Sequence, residues 1–169
     1  MSMELRKIRF HISPAEWHGR PSETLWAEPV EETAPATTFR LRNSPFFAEG
    51  VSFLDMISAK PDRDGDGLEF AGVIERSGHS TYLILAPAGS ANFAKNWNVL
   101  QALGCTYESK TLSTKEGEKI LYAVDVPPDA DIYAVYEALS DSERNGVWTF
   151  QEGHVGHKLQ GENNATAKH

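Results

Sequence analysis

The hydrophobic period changes once along this chain, near residue 77, and that change decides most of what it can fold into. Before it, apolar residues alternate over short runs. Ile8, Phe10 and Ile12 do so, as do Phe39 and Leu41 between Thr38, Arg40 and Arg42, which is strand spacing. Leu25-Trp26-Ala27, Leu54 to Ala59 and Leu68 to Arg76 are further strand-prone runs. Pro21-Ser22, Pro35, Asn43-Ser44-Pro45 and Asp62 to Gly67 supply the turns between them. Short strands with no helical pattern among them predict a small SH3-like β-barrel over residues 1–76.

Beyond residue 77, strand and helix periods alternate. Thr81 to Ala86 is an almost unbroken apolar strand. Ser90 opens a helix with Phe93, Trp97 and Leu100 on one face, and Gly104 ends it. Cys105 to Ser109 follows as a more polar strand, and Ile120 to Val126 as a second apolar one. Pro127 to Asp131 opens a helix carrying Ile132, Val135, Tyr136 and Leu139, which closes at Asn145-Gly146; Val147 to Gln151 is the last strand. β-α-β-β-α-β is the ferredoxin-like order, predicted over residues 77–157. The central strands of that arrangement are the first and third, and here those are the apolar runs. Two helices cover only one face of such a sheet, so the other face must meet the barrel or a second copy of the chain, which leaves a homodimer open. The expected class is α+β, a barrel packed on a sandwich, with residues 158–169 as a polar disordered tail.

A formal net charge of −8 is spread along the chain without a basic stripe. That disfavours nucleic acid, whose affinity rests on phosphate contacts. It is compatible with a basic protein partner. No apolar run approaches a membrane span and the N-terminus carries no apolar leader, so the chain reads as cytoplasmic. One cysteine, Cys105, gives neither a disulfide framework nor a cysteine zinc site.

Candidate chemistry gathers in the middle of the chain. Gly78-His79-Ser80-Thr81 offers a base beside two hydroxyls, but neighbours in a strand point to opposite faces, so His79 and Ser80 are poorly placed to act on each other. Asp125 interrupts a central strand on the face of Ala123 and Leu121. A buried carboxylate there needs a partner, and Arg76 or the His79 region is the expected one. Asp62-Arg63-Asp64-Gly65-Asp66-Gly67 imitates the start of a calcium loop, yet Val73 stands where the bidentate Glu belongs; an acidic hairpin turn is expected. His154 and His157 lie three apart between glycines, and His11 and His18 are separate, so no metal and no cofactor is expected. Pro45-Phe46-Phe47 is either an exposed aromatic platform or a pair in which one ring plugs the barrel and the other packs on the sheet.

Ser22 to Glu28, Asn43-Ser44-Pro45-Phe46-Phe47-Ala48-Glu49-Gly50, Ser77 to Thr81, Leu103-Gly104-Cys105 and Ala123 to Pro128 resemble, in order, a bacterial family: domain of unknown function 4265. The pieces span about residues 8–157, and Pro-Phe-Phe-Ala and Gly-His-Ser-Thr are the most specific. What the resemblance implies is a bacterial, single-chain cytoplasmic protein, and it brings no reaction, cofactor or catalytic residue. The longer acidic turn from Asp62 to Gly67 departs from its pattern.

The leading expectation is a non-enzymatic protein-binding protein, in its most concrete form an immunity- or antitoxin-type inhibitor of a basic partner. Asn43, Phe46, Phe47, His79 and Trp26 are its candidate binding residues. The alternative is a small enzyme or ligand sensor with its site in the cleft between the halves, using His79, Ser80 and Asp125.

Overall fold

A computed structural model of the protein describes residues 4–13, 19–31, 37–63 and 65–159. His18, Pro35, Asp64 and the predicted tail from residue 160 onward lie outside the described residues. The chain is α+β, mostly strand with two helices. β1 (Arg6–His11), β2 (Ser22–Pro29), β3 (Thr38–Leu41), β4 (Met56–Pro61) and β5 (Leu68–Glu75) pair in sequence order. β1 also pairs in parallel with β5, so the five strands close on themselves. Alternation sets what faces inward: Ile8, Phe10, Leu25, Ala27, Phe39, Leu41, Ile57 and Ala59 form a buried cluster, while Trp26 between Leu25 and Ala27 points out.

β6 (Ser80–Pro87), α1 (Phe93–Ala102), β7 (Thr106–Thr114), β8 (Gly117–Val126), α2 (Ile132–Arg144) and β9 (Thr149–His154) follow. Their strands form one antiparallel sheet in the order β7-β8-β6-β9. β8 therefore lies between β7 and β6, where its two-sided apolar pattern places it. Tyr122, Val124 and Val126 face the helices, packed with Trp97, Leu100, Val135 and Leu139. Leu121 and Ala123 face the other way and pack with Leu83 under Phe47, from the loop after β3. The barrel side of the chain thus supplies cover for the second face of the sheet.

Local signals were displaced at several ends. α1 is capped at Asn92, without a side-chain cap bond, and not at Ser90. Tyr136, expected on the buried face of α2, is about half exposed; its ring instead meets Phe150 edge-on. β7 and β8 run on as a hairpin to Thr114 and Gly117, well past the apolar run, because backbone pairing continues where no core demands apolar side chains. Asp131 caps α2 by accepting from the amides of Tyr133 and Ala134.

Cys105 is buried in the helix-side core. Burial pushes its thiol up to about 12, so the thiolate that reacts with electrophiles is scarce at neutral pH. We expect a maleimide or disulfide reagent to leave the folded chain unmodified and to label Cys105 fully once the chain is denatured. Rapid native-state labelling is the contrary result.

Candidate functional site

The loop after β3 has amides with no strand to pair with, and buried amides must find an acceptor. Two carboxylates provide it. Glu23 at the start of β2 accepts from the amides of Phe46 (2.8 Å), Phe47 (3.0 Å) and Ala48 (2.9 Å). Glu108 of β7 accepts from the Ser44 amide (2.7 Å) and from Asn43 Nδ2 (2.9 Å). Asn43 Oδ1 in turn accepts from the Trp26 amide at 2.8 Å. A third carboxylate, Asp55, is 1% exposed and accepts from the amides of Ser52 and Ser77 and from Arg76. These three acids stitch the barrel to its own loops and to the sheet. The Glu108 clamp crosses from one half to the other.

The seam between the halves holds the polar residues singled out in the sequence. His79 Nδ1 donates to the Asp125 carboxylate at 2.9 and 3.1 Å, and the His79 ring stands edge-on to Phe53. Arg76, the other expected partner of Asp125, reaches Asp55 and the Gly50 carbonyl instead. Burial raises the Asp125 pKa, opposed by the bond to His79.

Ser80 is fully buried and turned away from His79. Its Oγ accepts from the amides of Gly156 (2.9 Å) and His157 (3.2 Å) and lies 2.6 Å from His157 Nδ1. With both lone pairs taken, the hydroxyl must donate to Nδ1. His157 Nε2 then carries the hydrogen and donates to the Pro127 carbonyl at 2.8 Å. This contact has the layout of a nucleophile and its base, but a hydroxyl with no exposed surface meets no substrate.

Asp125 also lines a groove of about 210 Å³ together with Arg42, Ser44, Phe53, Thr106 and Glu108. Phe53 is presented by a turn in which Leu54 takes φ 68°, the left-handed region that a branched side chain seldom adopts. Strain of that kind gathers at working sites. Arg42 leans over the Phe53 ring at 5.9 Å and pairs with Glu28 at 3.6 Å. Trp26, 42% exposed, lies beside Arg42 across the ladder, its carbonyl accepting from the Arg42 amide.

The seam therefore brings His79 and Asp125 together and keeps Ser80 apart. Among the candidate binding residues, Phe47 is buried against the sheet, Phe46 is partly buried beside it, and Asn43 is a clamp. Trp26 stays on the surface. Sequence reasoning passed over Glu23, Glu108, Asp55, Phe53 and the tie between Ser80 and His157. The available signal was the run of unpaired amides that Pro45 and its neighbours imply, which demanded acceptors from elsewhere. Among the described residues no three His, Cys, Asp or Glu side chains gather as metal ligands, and no helix is long and apolar enough to cross a membrane.

No curated protein matches the chain. Among solved structures it is similar to one titled "Novel crystal structure of a hypothetical protein from Neisseria gonorrhoeae", at 15% identity and a TM-score of 0.67, covering 94% of this chain and 100% of that one. Such a likeness concerns the fold alone. The family model for domain of unknown function DUF4265 matches residues 23–150. That span begins at the Glu23 clamp and ends in β9, taking in both sides of the seam, and the chain belongs to the DUF4265 family.

Proposed function

We propose that the chain is a non-enzymatic, cytoplasmic protein-binding protein, an SH3-like barrel (residues 1–76) joined to a ferredoxin-like sandwich (77–157), whose contact surface is the groove at their seam. One observation carries the reading. The groove is lined by Asp125 together with Phe53 and Arg42, whereas the hydroxyl best placed to be a nucleophile is sealed. A partner's lysine or arginine entering the groove meets an aromatic ring and a poorly solvated carboxylate, a pairing worth more there than in water. Arg42, which lines it, and Trp26, which lies beside Arg42, are of the residue types on which protein interfaces most depend. The net charge of −8 favours encounter with a basic partner. In its narrowest form the protein is an immunity- or antitoxin-type inhibitor.

The test is capture from host extract on immobilised wild type, Asp125→Asn and Phe53→Ala. We expect the wild type to retain a basic protein and both variants to lose it by about tenfold or more. An equal catch on all three, or none on the wild type, sinks the reading. His79→Gln should fold and keep the partner. If it instead abolished a biological activity with fold and binding intact, the enzymatic reading centred on His79 and Asp125 would take precedence.

Stability tests the burial of the Asp125 carboxylate. A folded-state pKa raised above the ordinary 3.8 contributes stability below that value and loses it as pH rises through the raised range. Asp125→Asn removes that loss. Its melting temperature relative to wild type should therefore improve from about pH 4 towards neutrality, and a variant that falls further behind as pH rises contradicts the argument.

A further inference from the structure

We infer that two copies of the chain pair edge to edge along β7, antiparallel and in register about Ser109, so that their two sheets become one. β7 is an end strand. It pairs with β8 on one side and, among the described residues, with no strand on the other. The opposite end of the sheet is blunted: at β9 the Phe150 amide donates to the Glu143 carboxylate at 2.9 Å, and the Gly153 carbonyl accepts from the Gly50 amide. The barrel strands close on themselves and leave no edge. Among the described residues β7 has no such cover. Thr106, Tyr107, Ser109, Thr111, Ser113 and Thr114 are exposed along it, and a long uncovered edge is a template for another strand.

The hairpin decides which groups face outward. Lys115 and Glu116 alone join β7 to β8, and Thr114 stands opposite Gly117, so this closing pair turns its backbone groups inward. Alternation then turns the amides and carbonyls of Ser113, Thr111, Ser109 and Tyr107 outward. The side chains select the partner. With Ser109 of both copies on the two-fold axis, Tyr107 lies opposite Thr111, Glu108 opposite Lys110 and Thr106 opposite Leu112, each pair occurring again across the axis. Opposite charges and an aromatic facing a β-branched residue are both favoured between strands. A slip of two residues one way sets Glu108 against Glu108 of the second copy, and the other way sets Lys110 against Lys110. Like charges directly opposite are unfavourable. Neither charge lacks company in the single chain: Glu108 accepts from Asn43 and Ser44, and Lys110 lies over the Phe46 and Phe47 rings with Glu23 nearby. The open backbone edge supplies the pairing and the charges choose its register. An unrelated strand has no reason to match that pattern, whereas the chain's own β7 does. Thr106 and Tyr107 also line the seam groove, so Leu112 and Thr111 of the second copy border it, whatever that groove binds.

The experiment is sedimentation of the full chain from about 5 µM to about 500 µM, with amide exchange read at both ends of that range. A single strand junction is a small interface, so we expect a monomer–dimer equilibrium with its midpoint near about 100 µM. Exchange at Tyr107, Ser109 and Thr111 should slow by about tenfold or more at the high concentration, with Phe150 at the far edge unchanged. Ser109→Pro removes the central outward amide where an edge strand tolerates proline, and should stay monomeric throughout. Cysteine cross-linking reads the register, since the native Cys105 is buried. Ser109→Cys should form an interchain disulfide under copper–phenanthroline oxidation, because facing residues of an antiparallel pair lie within disulfide reach. Ser113→Cys, on the same strand but away from the axis, should not. The inference is overturned if the chain stays monomeric to the top of the range, if folded Ser109→Pro dimerises like wild type, or if Ser113→Cys cross-links as readily as Ser109→Cys. A monomer whose β7 amides gain protection only beside another protein assigns the edge to a foreign strand and overturns it equally. Cross-linking decides the matter alone should the proline variant fail to fold.

Discussion

Phe47→Ala is expected to lower the unfolding free energy by about 3–5 kcal/mol, the range for removing a buried phenylalanine side chain, and to uncouple the two halves of the chain. Phe47 is 6% exposed and packs with Leu83, Leu121 and Ala123, so it is the barrel side's main apolar contact with the second face of the sheet. The hole left behind cannot collapse readily, because the loop is pinned from the other side by the three amide bonds to Glu23. Calorimetry should show one cooperative transition in the wild type and two in the variant, since each half keeps its own core. Phe46→Ala, which removes a partly buried ring, should cost roughly half as much. A Phe47→Ala protein with a wild-type midpoint would mean that polar clamps alone hold the seam.

Phe47 also shows where sequence reading stops. The alternation of Ile8 and Phe10, or the helical spacing of Ile132, Val135 and Leu139, names an inward face because the period is a property of the segment itself. Pro45-Phe46-Phe47 has no period. Whether a ring lies on a surface or a sheet depends on what another segment brings to it. Apolar runs on both sides of β8 predicted that something covers the sheet, but not which residue does so. The clamps were harder still. Glu23 and Glu108 read as solvated charges in polar strands, and their bonds reach amides more than 20 residues away, so only tertiary structure gives them a role. Asp125 was legible as an anomaly, being a carboxylate in an apolar strand, and its pairing with His79 follows from the register of β6 with β8, in which Thr81 stands opposite Asp125. The same register turns Ser80 away, as alternation requires. No pattern pointed to His157 as the partner of Ser80, because the segment after β9 has no repeat from which its path can be inferred.

That segment carries the second large effect. Gly156 crosses the chain at His79 so closely that an added Cβ would sit 2.3 Å from the His79 carbonyl oxygen, 3.2 Å from its carbon and 3.3 Å from the Gly78 carbon. Every obstacle is backbone, so none yields by a rotamer change. Residue 78 takes φ 90° beside Pro128, a backbone conformation that only glycine adopts readily. The upper segment must lift instead, and lifting it breaks the bonds of 2.9 and 3.2 Å from the Gly156 and His157 amides to Ser80 Oγ, and with them the His157 contact to the Pro127 carbonyl. Gly156→Ala is therefore expected to cost about 3 kcal/mol, the upper end for overpacking, and to free the amides of residues 154–157 to hydrogen exchange. Ser80→Ala removes the same acceptor without the clash and should cost less, about 1–2 kcal/mol. If the two variants cost the same, the hydrogen bonds and not the close approach fix the strap. If Gly156→Ala unfolds at the wild-type midpoint with residues 154–157 still protected, the strap does not cross His79 at this distance.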